Sequence, residues 1–397
     1  MNHQKIECSL NQGRAKLLDS RESMISTISK ICSEPAYMVF IFYYFILYYK
    51  QDEGDMLSKN LKYYRLKNNL SKAALASRIG VTPMAITNYE NGNRRPDMPT
   101  IKALASVLGV KTADFLAVRN ANLVFVHEEF RKNCSLSKSQ QDYAREAVEE
   151  YFNRFFEAVE LLGGEVLPAS PKMHEIELSG NPEEDGRALR LFLGISERGP
   201  VGHLIELLEN LGVLVCLLDI ENNGFSGMNG NINGRPYIAI NKNMTAERIR
   251  TTIVHELSHF SFAWPEEMEE KEAEEYATAI AGAFLFPKED ALRELGIRRR
   301  AITSDMYLVC KEYGIAMPLL VVRAHLCGII NDAAYHQFFR NGGSRNEQSR
   351  IDFEVPCLFE LLVYRAVNEK EISIQKGAEL LKLPYDAVRD NCCLAEE

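Results

Sequence analysis

Two histidines four residues apart, with a glutamate directly after the first, stand in the stretch TTIVHELSHFSFAW that begins at Thr251. On a helix, residues i and i+4 share one face about 6 Å apart. His255 and His259 can therefore hold one cation between them. Zinc in a catalytic site takes neutral imidazoles and a third protein ligand, and leaves its fourth position to water. Bound zinc brings that water's pKa near neutrality, and a carboxylate such as Glu256 can then accept its proton during attack on a carbonyl. The bare pattern also arises by chance on ordinary helix surfaces, so the surrounding elements have to decide.

Those residues need elements to hold them. Ile249, Ile253 and Leu257 form an apolar stripe, which predicts one packed helix from Thr245 through Phe262. The strand YIAIN stands just before it and is expected to be an edge strand, able to hold an extended peptide by strand addition. A further helix is expected from about Met268 to Phe286, carrying Glu274, Ala277, Ala281 and Leu285 at helical spacing. Small residues there allow close approach to the first helix and would bring a carboxylate to the imidazoles. Most of the seven glutamates in EEMEEKEAEE read as a solvated face; Glu274 alone has a specific claim. Upstream, GHLIELLENLG predicts a helix, VLVCLLDI a strand and NGFSGMNGNINGRP a Gly/Asn-rich turn region. From Ser137, SKSQQDYAREAVEEYFNRFFEAVELLG predicts one long amphipathic helix, read as a connector. The chain after Glu289 looks helical, with EISIQKGAELLKLPYDAVRD a helix, a turn and a helix.

A second chemistry stands between Met56 and Leu116. Ten Lys/Arg against three Asp/Glu give this segment +7, which leaves −16 for the remainder of a chain of net charge −9. Such a basic island suits a polyanion. Five short helices are expected here, with Ser and Thr caps and closing glycines. In SKAALASRIGVTPMAITNYENG one helix, a tight turn at Gly80 and a second helix follow closely, the helix-turn-helix order whose second helix enters the major groove. Leu75, Ala76, Ile79, Val81, Ile86 and Tyr89 would pack the pair. Thr82, Met84, Thr87 and Asn88 would then face base edges, where Asn bonds adenine and Met or a Thr methyl meets thymine. Lys72, Asn91, Arg94 and Arg95 would meet phosphates. The competing reading is a protein-interaction domain with a solvated basic face.

At 397 residues the chain is expected to form two or three domains. Nine cysteines without a CxxC pair suit free thiols and a reducing cytoplasm. The run AYMVFIFYYFILYY, Ala36 to Tyr49, is fourteen residues without a charge; as a helix it would span about 21 Å, short of the ~30 Å hydrocarbon core. A membrane-associated segment, a buried element and an extension outside the working protein are the three readings. The last is expected, because Met56 directly precedes the first recognisable domain, and no membrane partner is expected.

The stretch YRLKNNLSKAALASRIGVTPMAITNYENGNRRP resembles the Xre family of lambda-repressor-like domains, which implies duplex DNA as partner and a buried pairing of Arg65 with Glu90. Pro83 and Met84 stand where many relatives carry polar base-reading side chains. The stretches YIAINKNMTAERIRTTIVHELSHF and EEYATAIAGAFLFP resemble the ImmA/IrrE metallopeptidases, with Glu274, Ala277 and Pro287 matching the second helix. That resemblance implies zinc on His255, His259 and Glu274, with Glu256 as general base. Thr278 and Ile280 depart from the Asn and Phe frequent in the family. No oxyanion-stabilising residue is assigned; Tyr276, Tyr307 and His325 are candidates.

The expected architecture is mainly α with a small α+β domain. It runs as an extension (1–55), an all-α five-helix helix-turn-helix domain (56–120), a helical linker (121–184), a zincin-like domain with a short sheet packed on the HExxH helix (185–290) and a helical C-terminal region (291–397). The resemblances imply a cytoplasmic, homodimeric regulator whose zinc endopeptidase cleaves a repressor-type protein, itself or a partner. A metal domain that senses without cutting, and a toxin–antitoxin regulator, are the alternatives.

Overall fold

The computed structural model describes residues 56–117, 122–127, 136–221, 224–343 and 348–392; the apolar run of Ala36 to Tyr49 lies outside them. The chain divides into two compact units, within residues 1–118 and 119–397. It is mainly α, with a small sheet in the second unit.

In the first unit, α1 (56–67), α2 (Lys72–Ile79), α3 (Pro83–Glu90) and α4 (Met98–Leu108) surround Leu61, Leu75, Ile86, Leu104 and Phe115, all essentially buried. Side-chain oxygens open three of these helices. Ser71 accepts from the Ala74 amide, Thr82 from Ala85 and Asp97 from Thr100, each relieving an otherwise unpaired first-turn N–H. Gly80 closes α2 at φ +74, a left-handed position that costs glycine nothing. The fifth expected helix, KTADFLA, is instead a single 3₁₀ turn over Thr112–Leu116. Its Asp114 carboxylate accepts from the Lys111 amide, which tightens so short a segment to i→i+3 bonding.

The second unit is built on a four-stranded sheet in the order β1 (Phe125–His127), β4 (Gly227–Ile232), β5 (Arg235–Asn241), β3 (Leu214–Leu218). A parallel pair, β2 (Ile176–Glu177) and β6 (Phe262–Ala263), stands apart. The predicted turn region NGFSGMNGNINGRP holds β4, and the turn that joins β4 to β5 is Asn233–Gly234, both at positive φ. That is the two-residue hairpin geometry whose twist matches the strands it joins. YIAIN lies in β5, and the edge-strand expectation fails: β5 is flanked by β4 and β3. The outer strand on that side is β1, which pairs with Gly230–Ile232 of β4.

Helix α5 (Lys138–Leu161), expected as a connector, belongs to this unit. Its Phe152 stacks on Tyr237 of β5, and it also packs on β3 and on the C-terminal helices. Then come α6 (Pro182–Phe192), α7 (Leu204–Asn210), α8 (Ala246–Ser261) and α9 (Glu270–Leu285). Helix α8 lies on β4 and β5 and buries Ile249, Ile253 and Leu257, and α9 packs against α8 and α6. Gly186 of α6 makes that second contact possible, since a Cβ there would sit 2.9 Å from the Phe284 amide nitrogen. The same apolar core continues past residue 290 through α10 (Lys288–Leu295), α11 (Met306–Tyr313) and α12 (Met317–Leu326) as far as Ile330. Helix α13 (Asp332–Arg340) follows, and α14 (Leu358–Asn368), α15 (Ile374–Leu381) and α16 (Tyr385–Cys392) complete the described chain.

Candidate metal centre and helix-turn-helix

Helix α8 packs its apolar stripe on the sheet, which fixes which way its other face turns, toward α9. That face presents His255 and His259 one turn apart, and α9 brings Glu274 across to them. The three side chains form a small triangle, with Glu274 meeting the two imidazoles through different oxygens. His255 Nε2 to His259 Nε2 is 3.2 Å, His255 Nε2 to Glu274 Oε2 is 3.1 Å and His259 Nε2 to Glu274 Oε1 is 3.3 Å. One donor atom from each of the three lies within 4.8 Å of the others, near enough for a single ion, and two imidazoles with a carboxylate are a donor set that suits zinc. Among the described residues this is the one cluster of three or more metal-ligating side chains.

The Thr278 hydroxyl donates to the Glu274 carbonyl, 2.9 Å, and therefore accepts from His255 Nδ1–H, 3.2 Å. A proton on Nδ1 leaves the Nε2 lone pair for a metal. Glu256, next in sequence, is buried on the sheet side of α8, and Asn229 Nδ2 of β4 donates to its Oε2 at 2.9 Å. The three oxyanion candidates each have a neighbour of their own here. Burial and the hydrogen bond to Asp185, 2.5 Å, raise the Tyr276 hydroxyl pKa, and that bond commits its proton. Tyr307 lies under the Arg350 guanidinium, and His325 bonds Asp332 while stacking on Tyr335.

In the first unit the second helix of the motif exposes Met84 and leaves Thr87 and Asn88 half-buried. Thr82 caps the helix, and the Thr87 hydroxyl donates to the Pro83 carbonyl, so both set the helix start as well as lying along it. Asn91, Arg94 and Arg95 are exposed just beyond α3. Lys72 is partly drawn back, its Nζ 3.5 Å from Glu90. Arg65 pairs with Glu90 through two nitrogens and donates its third to the Leu70 carbonyl, the buried pairing that the Xre resemblance implies.

Comparison with known proteins agrees on both units. Residues 61–115 match the family described as Helix-turn-helix, and residues 208–324 match the IrrE N-terminal-like domain. The chain joins an Xre-type helix-turn-helix domain to an IrrE-like domain. A Bacillus subtilis protein, the HTH-type transcriptional regulator YqaE, is 34% identical over 77 residues, 19% of this chain and 66% of its own length, just under two thirds. A solved structure of Bacillus thuringiensis PlcR with the peptide PapR7 and DNA matches at 11% identity over 85% of this chain and 95% of that one. Its TM-score is 0.17, so it carries no argument.

The IrrE-like domain holds two residues at its centre that sequence reasoning missed. Asn229 was hidden in a strand that reads as a turn. Trp264 lies just past the HExxH helix, its ring 5.5 Å from His259 and its Nε1–H donating to the Ser258 carbonyl. A lone tryptophan five residues after a ligand histidine was the available signal.

Proposed function

We infer that this chain is a DNA-binding transcription regulator whose IrrE-like domain is a zinc endopeptidase. It cleaves a repressor-type protein, itself or a partner, and so relieves repression. The observation that carries the reading is the cluster of His255, His259 and Glu274, with Glu256 next in sequence to His255 and its carboxylate buried. Sensing or structural zinc needs the triangle but has no use for that fourth side chain.

His255, His259 and Glu274 would hold the ion. Zinc, when bound, polarises a carbonyl and brings the pKa of a water it holds near 7. Glu256 takes the proton of the attacking water and returns it to the departing amine. The aromatic wall of Trp264 covers one side of His259 and limits water there. Helix α3 would lie in the major groove, with Met84 and Asn88 toward base edges and Arg94 and Arg95 toward phosphates. Dimerisation on a two-fold operator and a cytoplasmic location belong to this proposal. No helix of the described residues is long and apolar enough to cross a membrane.

The test is Glu256→Gln in the full chain, with zinc content and fragments of the protein followed by mass spectrometry. General-base contributions run about 10²- to 10⁴-fold, so cleavage should vanish with zinc still bound. His259→Ala should lose the metal. Normal cleavage or normal induction by Glu256→Gln would favour zinc that senses without cutting.

A further inference from the structure

We propose that Asn229 is a positioning residue for Glu256, holding one carboxylate oxygen so that the other faces the reaction. This rests on the peptidase reading above. The register of two elements produces the contact. Odd-numbered residues of β4 face α8: a Cβ on Gly227 would meet Thr252 Cγ2 at 2.9 Å. Two residues along the strand advance about 6.6 Å. Four along the helix, from Thr252 to Glu256, advance about 6 Å. Strand and helix therefore stay in step, and Asn229 arrives opposite Glu256.

Both side chains are buried, 5% and 6% exposed. A buried carboxylate without a donor is costly and finds another rotamer or another partner. Asn229 Nδ2 is the donor that the described residues supply, 2.9 Å from Oε2. Because an ionised carboxylate only accepts, the amide must present its nitrogen. The choice of an amide matters as well. A lysine or arginine would orient the carboxylate but add a positive charge within reach of a dicationic site. Asn orients it and stays neutral. Gly230, next in the strand, has no room for a Cβ: one would lie 2.3 Å from the Val126 carbonyl oxygen. Pairing to β1 therefore pins the backbone that carries Asn229.

Asn229→Ala should leave zinc stoichiometry near that of the parent, lower the melting temperature because the buried Glu256 carboxylate loses a donor, and lower cleavage by about 10- to 100-fold, part of a general-base contribution. A packing role predicts a different pattern, which a double-substitution cycle separates. The probe is acetohydroxamate, which binds catalytic zinc and bonds a neighbouring carboxylate, titrated into the zinc-loaded full chain. Asn229→Ala should weaken it about 5- to 10-fold in the parent and less than about twofold in Glu256→Gln. Equal weakening in both backgrounds, or loss of zinc on Asn229→Ala, overturns the inference alone. Absence of zinc from the parent, or cleavage indifferent to Glu256→Gln, overturns the peptidase reading and this inference with it. Should Asn229→Ala fail to fold, Asn229→Leu, similar in shape but without the donor, passes through the same cycle.

Discussion

Thr278 is a small residue with a large say in what His255 can bind. Its hydroxyl gives its one proton to the Glu274 carbonyl, so it can only accept from the imidazole, and Nε2 is left bare toward the metal. Thr278→Val keeps the shape and removes the acceptor. Losses of such outer hydrogen bonds cost about 10- to 100-fold in metal affinity. Thr278 is exposed, so water can take its place, and the low end, about tenfold, is expected in a competition titration with a zinc chelator. Thr278→Asn, the residue frequent in related proteins, should restore affinity through its side-chain oxygen. A residue buried in the first unit should behave differently. Arg65→Ala leaves the buried Glu90 with Lys72 alone, 3.5 Å away and partly exposed, so the helix-turn-helix domain should lose up to about 3 kcal/mol. Urea denaturation followed by circular dichroism should show an early transition for that unit. The clustering of His255, His259 and Glu274 was legible because the two histidines are one turn apart on one helix and Glu274 sits among small residues that permit close packing on it. Asn229 was not legible, because its role depends on a strand and a helix running in step, which no spacing along the chain records.

Elements show the same limit. Strand β4 reads as a turn because Gly and Asn are turn residues, yet its glycines are there for close approach. Cβ atoms on Gly227 and Gly230 would collide with Thr252 and with β1. Strand β1 is three residues long and leaves no periodicity to read. The helices, by contrast, announce their caps and stripes. Helices α15 and α16 even repeat the spacing of α2 and α3: each pair has two eight-residue helices, a Ser cap on the first and a left-handed residue, Lys382 or Gly80, at the turn. Charge separates them. Residues 71–95 carry +3, whereas 373–392 carry no net charge. Lys376 and Lys382 pair with Glu157 and Glu150 of α5, and Arg389 pairs with Asp386 and Asp390. The C-terminal pair is thus packing, and removing its cations should leave DNA affinity unchanged. Its anchor is pH-sensitive. Glu209 of α7 accepts from the Cys357 and Leu358 amides at the start of α14, and burial pushes its carboxyl up to about 7. A raised folded-state pKa means the folded chain binds the extra proton. This contribution is therefore full below about pH 4.5 and is lost as pH rises through about 7. Glu209→Gln should flatten that fall in a series of melting temperatures between pH 4.5 and 8.

At the scale of the whole molecule, two cores and two opposite charges meet in one chain, and removing zinc tests whether their duties are separate. The metal triangle sits on α8 and α9, which are already held by Ile253, Leu257, Ile280 and Phe284, all fully buried. A cluster carried on helices that their own apolar packing already holds is not needed to supply folding energy, as a zinc finger's metal is. Chelation should therefore abolish cleavage while lowering the melting temperature only modestly. The first unit has its own core of Leu61, Leu75, Ile86, Leu104 and Phe115, and no ligand of the triangle belongs to it. Its +7 charge should make operator affinity fall with the logarithm of salt, each neutralised phosphate contributing about −0.9 to the slope. Arg95→Ala should reduce that slope by about 1 and weaken all sequences alike, whereas Asn88→Ala should leave the slope and change the preferred sequence. Chelated and zinc-loaded protein should give the same slope in fluorescence anisotropy titrations from low to physiological salt. A chelator that changed the slope would mean that zinc alters the phosphate contacts themselves, and regulation would then act through DNA affinity rather than through a cut peptide bond.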